Sequence, residues 1–208
     1  MANVIVINEQ PELEFEEERH IYRLNGIEIP SVSAVMKPLS SSVYGDVDPY
    51  VLSAAANRGT IVHEAIENYL NYGIEDIPST YTGYLDAFIS FWKEYKPTVY
   101  AVEHRMYHKY LKYAGTVDLL LDIDGETWLV DNKTSSKIEK MLTRVQLEAY
   151  KKGLATHGIR VDRKAILHLK KTGKFSFVEH PAEDQEAWDV FTSCKTVHDY
   201  VKTGGKWE

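Results

Sequence analysis

The sequence predicts a mixed α/β fold, with a central mixed sheet flanked by helices. Three observations predict it. The stretch 114–134, AGTVDLLLDIDGETWLVDNKT, reads as two short strands about an Asp124-Gly125 turn. Segments on both sides of it carry apolar residues at helical spacing. The elements then run in the order helix, strand, strand hairpin, helix, strands, helix. At 208 residues and 44% hydrophobic, the chain is expected to form one domain with a real core. Residues 1–48 are read as an N-terminal hairpin and loop extension, and residues 49–208 as the core.

In chain order, residues 9–18 form an acidic run, read as a loosely ordered or edge segment. Ile21–Leu24 and Ile27–Ile29 flank Asn25-Gly26, which predicts a small hairpin. Ser31 is placed to cap a short helix through Val35, stopped before Pro38. Residues 39–49, rich in Ser, Gly, Asp and Pro, read as a mobile loop. A helix is expected from Pro49 to Tyr72, with a break near Gly59. Its second half buries Ile61, Val62, Ala65, Ile66, Tyr69 and Leu70, with His63 at the border of that stripe. A second helix fits Tyr84–Tyr95.

Thr98–His108 reads as a strand with Val99, Ala101, Glu103, Arg105 and Tyr107 on one face. After Lys133 a helix is expected over Ile138–His157. Ile138, Met141, Leu142, Val145 and Ala149 form its buried stripe. Gln146 and Tyr150 are neighbours on its flank, and Lys140, Arg144 and Lys151 point away. Lys164–Leu169 and Phe175–Glu179 form a hairpin. Pro181 opens a last helix to Val201, with Ala187, Val190, Phe191, Cys194, Val197 and Val201 inward. There is no internal repeat.

Composition narrows the class. One cysteine excludes a disulfide framework and any cysteine-based metal cluster within the chain. No stretch is long and apolar enough to span a membrane, and Met1–Gln10 has no signal-peptide pattern, so a soluble cytoplasmic protein is expected. The net charge is −7, but it is unevenly spread. Residues 133–174 hold 12 basic and 3 acidic side chains. That segment is expected to supply long-range attraction to phosphates. The plainer reading is a solvated helix face.

A two-residue loop at Asp124-Gly125 sets Asp118 opposite Asp131 and Thr116 opposite Lys133. Val117, Leu119, Leu121, Ile123, Trp128 and Val130 then fall on the other, apolar face. Facing carboxylates have Cβ atoms roughly 4.5–5.5 Å apart and repel. A divalent cation reverses the sign of that interaction, since magnesium and manganese prefer hard oxygens. An exposed polar face with aspartates aligned by chance is the alternative.

The order and the residues together resemble the PD-(D/E)XK nuclease superfamily, in particular its RecB-like branch, which includes phage-type exonucleases. Four motifs carry the resemblance over roughly residues 59–169. They are Gly59-Thr-Ile-Val-His63, Gly115-Thr-Val-Asp118, Asp131-Asn132-Lys133 followed by Thr134, and Gln146-Leu-Glu-Ala-Tyr150. The family's α-β-β-β-α-β core, like that of restriction endonucleases, is thereby implied. The resemblance implies that His63, Asp118 and Asp131, with the main-chain carbonyl of Asn132, bind Mg²⁺ or Mn²⁺, with Glu103 as an accessory carboxylate. It implies that Lys133 orients or helps deprotonate the attacking water. Gln146 and Tyr150 would sit beside the site, and Arg144 is grouped with them as support or DNA contact. The family's Pro-Asp pair is absent, because Val117 precedes Asp118.

Elementary chemistry is consistent with these roles. A metal held by carboxylates stabilises charge on the phosphoryl oxygens and lowers the pKa of a bound water. Histidine must be neutral to ligate, so activity is expected to fall at low pH. The leading expectation is a metal-dependent DNA exonuclease of recombination or repair. The alternatives are an endonuclease or structure-specific nuclease, a DNA-binding module with an inactive site, and an α/β scaffold without a nucleic-acid role. DNA is the expected partner. No phosphate-binding helicase loop is present, so a helicase or single-strand annealing partner would be a separate chain. Some related exonucleases form rings around DNA, and nothing in the sequence speaks to the oligomeric state.

Overall fold

The computed structural model describes residue 7 and residues 10–205. Glu9, the first of the acidic run, lies outside the described residues. A small sheet comes first: β1 (Leu13–Glu16), β2 (Ile21–Leu24) and β3 (Ile27–Ile29), paired antiparallel in that order. The β2–β3 turn is the expected two-residue one, with Asn25 and Gly26 both at positive φ (51° and 77°). The acidic run thus contributes an edge strand.

Ser31 caps α1 (Val32–Val35), its hydroxyl accepting the Ala34 amide at 3.0 Å. The expected loop after it is instead a helix, α2 (Lys37–Tyr44). Pro38 sits in its first turn, where a missing N–H costs nothing. Leu39, Val43 and Tyr44 recur at helical spacing and pack on the core. The helix α3 (Pro49–Tyr72) is capped by Asp48 and ended by Gly73 at φ 68°. It runs unbroken through Gly59, where the expected break does not occur. Next come α4 (Thr82–Tyr95) and β4 (Thr98–Tyr107), then β5 (Ala114–Ile123) and β6 (Glu126–Lys133). They are followed by α5 (Lys140–Ala155), β7 (Arg163–Leu169), β8 (Phe175–His180) and α6 (Gln185–Lys202).

The main sheet has the order β4-β5-β6-β7-β8. All its pairs are antiparallel except β6–β7, which α5 joins as the crossover. One face, with Leu120, Leu129 and Ile166, is covered by α1, α5 and α6. The other, with Leu119, Leu121, Val130 and Leu167, is covered by α3 and α4. A third cluster seats the small sheet on Tyr107 and Ala114. No described helix is long and apolar enough to cross a membrane.

The β5–β6 ladder has the register set by the Asp124-Gly125 turn, from Ile123 opposite Glu126 to Leu119 opposite Val130. It ends there. The expected Thr116–Lys133 pair is not formed; Thr116 lies opposite Arg105 of β4, and its hydroxyl is 2.8 Å from that of Tyr22. Val117 also departs from expectation. It packs with α5, whereas Leu119 packs with α4, so side-chain alternation breaks at Asp118. The neighbouring strand breaks with it. β4 changes register between Val99 and Ala101, and Glu103 has φ 46°. Its expected single face therefore does not exist: Ala101 enters the α5 core, Tyr107 the small-sheet core, and Arg105 stacks over Phe15.

Helix edges brought further corrections. Met141 is exposed, since α5 starts only one residue before it. The last helix begins at Gln185, with Asp184 rather than Pro181 at its start, because the Asp184 carboxylate accepts the Ala187 amide. Val197 and Val201 at its far end are exposed, beyond the reach of the sheet. Arg144 and Lys151 do not point into solvent. Arg144 makes a two-toothed ion pair with Asp184 and a further one with Glu186; Lys151 pairs with Glu183. Lys164 is buried against Glu148, and Arg163 joins Glu126 to Glu179. Much of the basic segment is therefore spent internally.

The buried or half-buried His104, His108, His157 and His180, all with pKa values lowered by burial, make stability pH-dependent. His108 Nδ1 accepts the amides of Tyr110 and Leu111 at 3.2 and 3.1 Å. Burial lowers its pKa to about 4. Burial likewise lowers those of His104, His157 and His180. An unfolded imidazole titrates near ~6.5, so the unfolded chain takes up these protons first. Their contribution is complete above that value and is lost as pH drops toward about 4. These histidines are expected to lower the urea midpoint progressively as pH falls from ~7.5 to ~5, against the opposite effect of His63 and Asp131, whose pKa values are raised. His108→Asn, which keeps an acceptor for the two amides, should remove part of that decrease.

Candidate active site

The break in β4 and β5 opens the rim on which the site stands. Asp118, no longer in the ladder, accepts the Asn132 amide with Oδ2 at 2.7 Å. α3 brings His63 over the same rim. Its Nδ1 lies 3.2 Å from Glu103 Oε1, and its Nε2 lies 3.2 Å from the Asn132 carbonyl and 3.6 Å from Asp118 Oδ2. Both ring nitrogens thus face oxygen acceptors, and only an imidazolium can donate from both. Although burial opposes the charge, Asp118 and Glu103 raise the His63 pKa to about 9.

His63, Glu103 and Asp118 offer ligand atoms that all lie within 4.8 Å of one another. With the Asn132 carbonyl they form a set of hard oxygens and one nitrogen. That chemistry fits magnesium or manganese better than a soft metal. Glu103, expected as an accessory, belongs to the tightest group. Its ion-pair partner is His63.

Asp131 stands one step aside. Its Oδ2 is 2.7 Å from Lys133 Nζ. Burial raises its pKa to about 6, with Asp118 adding to the shift and Lys133 opposing it. Burial also raises that of Asp118. Lys133 is held above the ordinary lysine range: desolvation works against its charge, and Asp131 and Asp118 outweigh it. The two aspartates and the lysine therefore feel one another's charge, although the expected pairing of Asp118 opposite Asp131 is not part of the ladder, which stops at Leu119 and Val130.

Tyr150 and Gln146 also arrive. Gln146 Nε2 donates to the Tyr150 hydroxyl at 3.3 Å. Burial, then the charge of Asp131, pushes the Tyr150 phenol far up. Its ring explains Gly115: a Cβ there would stand 2.5 Å from Tyr150 Cε1. Gly59, by contrast, meets nothing within 4 Å. Arg144 is not brought to the site, being held by Asp184 and Glu186.

Sequence reasoning missed Arg58. It donates from Nε to Thr134 Oγ1 at 3.2 Å and lies 5.9 Å from the Tyr84 ring centroid. No motif marks it, though Val62 one turn on is buried and points that face of α3 inward. Tyr44, in the helix read as a loop, was missed too. Its phenol is raised by burial and feels both Glu139 and Lys133.

A family model described as the PD-(D/E)XK nuclease superfamily matches residues 71–197, more than half of the chain. No curated protein matches. The solved crystal structure of SSO0001 is similar at 11% identity over 79% of this chain and 84% of that one, with a TM-score of 0.35, too loose a likeness to carry an argument.

Adding Mn²⁺ to metal-free protein should raise its melting temperature, by the equivalent of about 2.7 kcal/mol at a free concentration about a hundred times Kd. Calorimetry in two buffers of different ionisation heat should show proton release on binding. Asp118→Asn keeps an acceptor for the Asn132 amide but should abolish both effects.

Proposed function

Because the chain belongs to the PD-(D/E)XK nuclease superfamily, we propose that it is a divalent-metal-dependent deoxyribonuclease. We read it as a RecB-like, phage-type exonuclease that hydrolyses DNA phosphodiesters from an end during recombination or repair. One observation carries the reading: the His63, Glu103 and Asp118 group lies beside the Asp131–Lys133 pair on one rim. A divalent cation bound there would neutralise phosphate charge and acidify a coordinated water.

The chain's own residues take the remaining roles. His63, Glu103, Asp118, Asp131 and the Asn132 carbonyl hold the cation. The Asn132 amide fixes the Asp118 carboxylate before substrate arrives, so little reorganisation is needed. Lys133, kept charged by its aspartate neighbours, sits where an ammonium can orient the attacking water and offset charge on the phosphoryl oxygens. Tyr150, whose phenol feels the charge of Asp131, and Gln146, which donates to that phenol, would flank that side. Arg144 carries no part in this scheme, being locked to α6.

The test is digestion of end-labelled linear DNA with Mg²⁺ or Mn²⁺. Lys133→Ala and Asp118→Asn should each reduce cleavage roughly 10²–10⁴-fold without loss of fold. Equal activity in all three proteins would remove these residues from the mechanism. A covalently closed circle should resist the wild type; its cleavage would establish an endonuclease instead.

A further inference from the structure

A groove of about 660 Å³ opens between the first half of α3 and the ends of β6 and β7. Its walls carry three aromatic rings, Tyr44, Tyr50 and Tyr84, and three cations, Arg58, Lys170 and Lys171. None of the described residues lining it is acidic, although the whole chain has a net charge of −7. Arg144, Lys151, Arg163 and Lys164 are by contrast bound to acids: Asp184, Glu183, Glu179 and Glu148. Arg58 has a hydroxyl and an aromatic ring as partners instead, and Lys170 and Lys171 form no ion pair among the described residues.

Tyr50 is 82% exposed, and Val51 beside it is 55% exposed. An exposed ring on a cationic, acid-free wall, with the half-buried Tyr44 and the buried Tyr84 behind it, matches a ligand with both flat faces and negative charge. A backbone phosphate would meet Arg58 and the lysines, and an unpaired base would stack on a tyrosine. A volume of this size takes a few flat groups and not the body of a duplex, whose bases are already stacked on one another. Position supplies the link to chemistry. Arg58 is tied to Thr134, the residue after Lys133, so the groove ends at the proposed active site.

We infer that this groove is the path of single-stranded DNA, holding the unpaired strand that leads to Lys133. The inference rests on the nuclease reading for the direction of the strand, and it is tested apart from cleavage.

The measurement is fluorescence anisotropy of a labelled oligothymidine on the full-length protein in EDTA, against a blunt duplex of equal length. The oligothymidine should bind more tightly than the duplex. Tyr50→Ala should weaken it roughly five- to a hundredfold. Lys170→Ala with Lys171→Ala should weaken it and lower the slope of log affinity against log salt by about 1.4. Tyr110→Ala, equally exposed at 81% in the β4–β5 connection, should change nothing. Circular dichroism confirms that the variants fold. Unchanged oligothymidine affinity in the Tyr50 and lysine variants, or loss of duplex binding alone, overturns the groove even if the wild type cuts DNA. Groove-dependent binding by a wild type that cuts no DNA with Mn²⁺ upholds the groove and fails the nuclease reading instead.

Discussion

Asp118 accepts the Asn132 amide with its side chain, one step beyond the point where the β5–β6 ladder ends. The geometry of the rim follows from this contact. A regular hairpin would have kept Val117 and Leu119 on one face and continued pairing toward Thr116. Here the strand turns over at Asp118, and β4 turns with it through the left-handed backbone of Glu103. A non-glycine residue in that conformation is costly and persists where surrounding structure holds it. The Glu103 side chain is held by His63 of α3. The strain delivers three ligating side chains and a carbonyl to one spot.

The distribution of cations is the second organising fact. Burying Lys164 against Glu148 requires excellent pairing, since removing either partner alone would leave an isolated charge, a loss of about 3–5 kcal/mol. Arg144, Lys151 and Arg163 are likewise bound to acids. A count of lysines and arginines along the segment therefore overstates the charge available to a polyanion. The charge that is available lies elsewhere, on α3 and the β7–β8 turn.

Local chemistry was legible in the sequence. The two Gly-containing turns set their hairpin registers, Ser31 capped its helix, and apolar spacing located α3 and α5. The acids at 118 and 131 and the lysine at 133 were legible as residue types beside a hairpin, but not through register, because the ladder stops before Asp118. The central role of Glu103 was not, because a left-handed residue inside a strand leaves no mark in the pattern of side chains. The helix α2 was hidden by its serines, whose preference for turns conceals Leu39, Val43 and Tyr44. Arg144 and Lys151 were misplaced because their partners, Asp184 and Glu183, lie far along the chain. Arg58 fell outside every motif.

Gly115 illustrates a different kind of requirement. A methyl group there would collide with the Tyr150 ring, itself wedged beside Asp131. In a saturation scan read out by activity, position 115 would therefore look as intolerant as an acid ligand while contributing no atom to the chemistry. Paired replacement of 115 by alanine and 150 by a smaller residue would relieve the collision, and so tell steric intolerance from a chemical one.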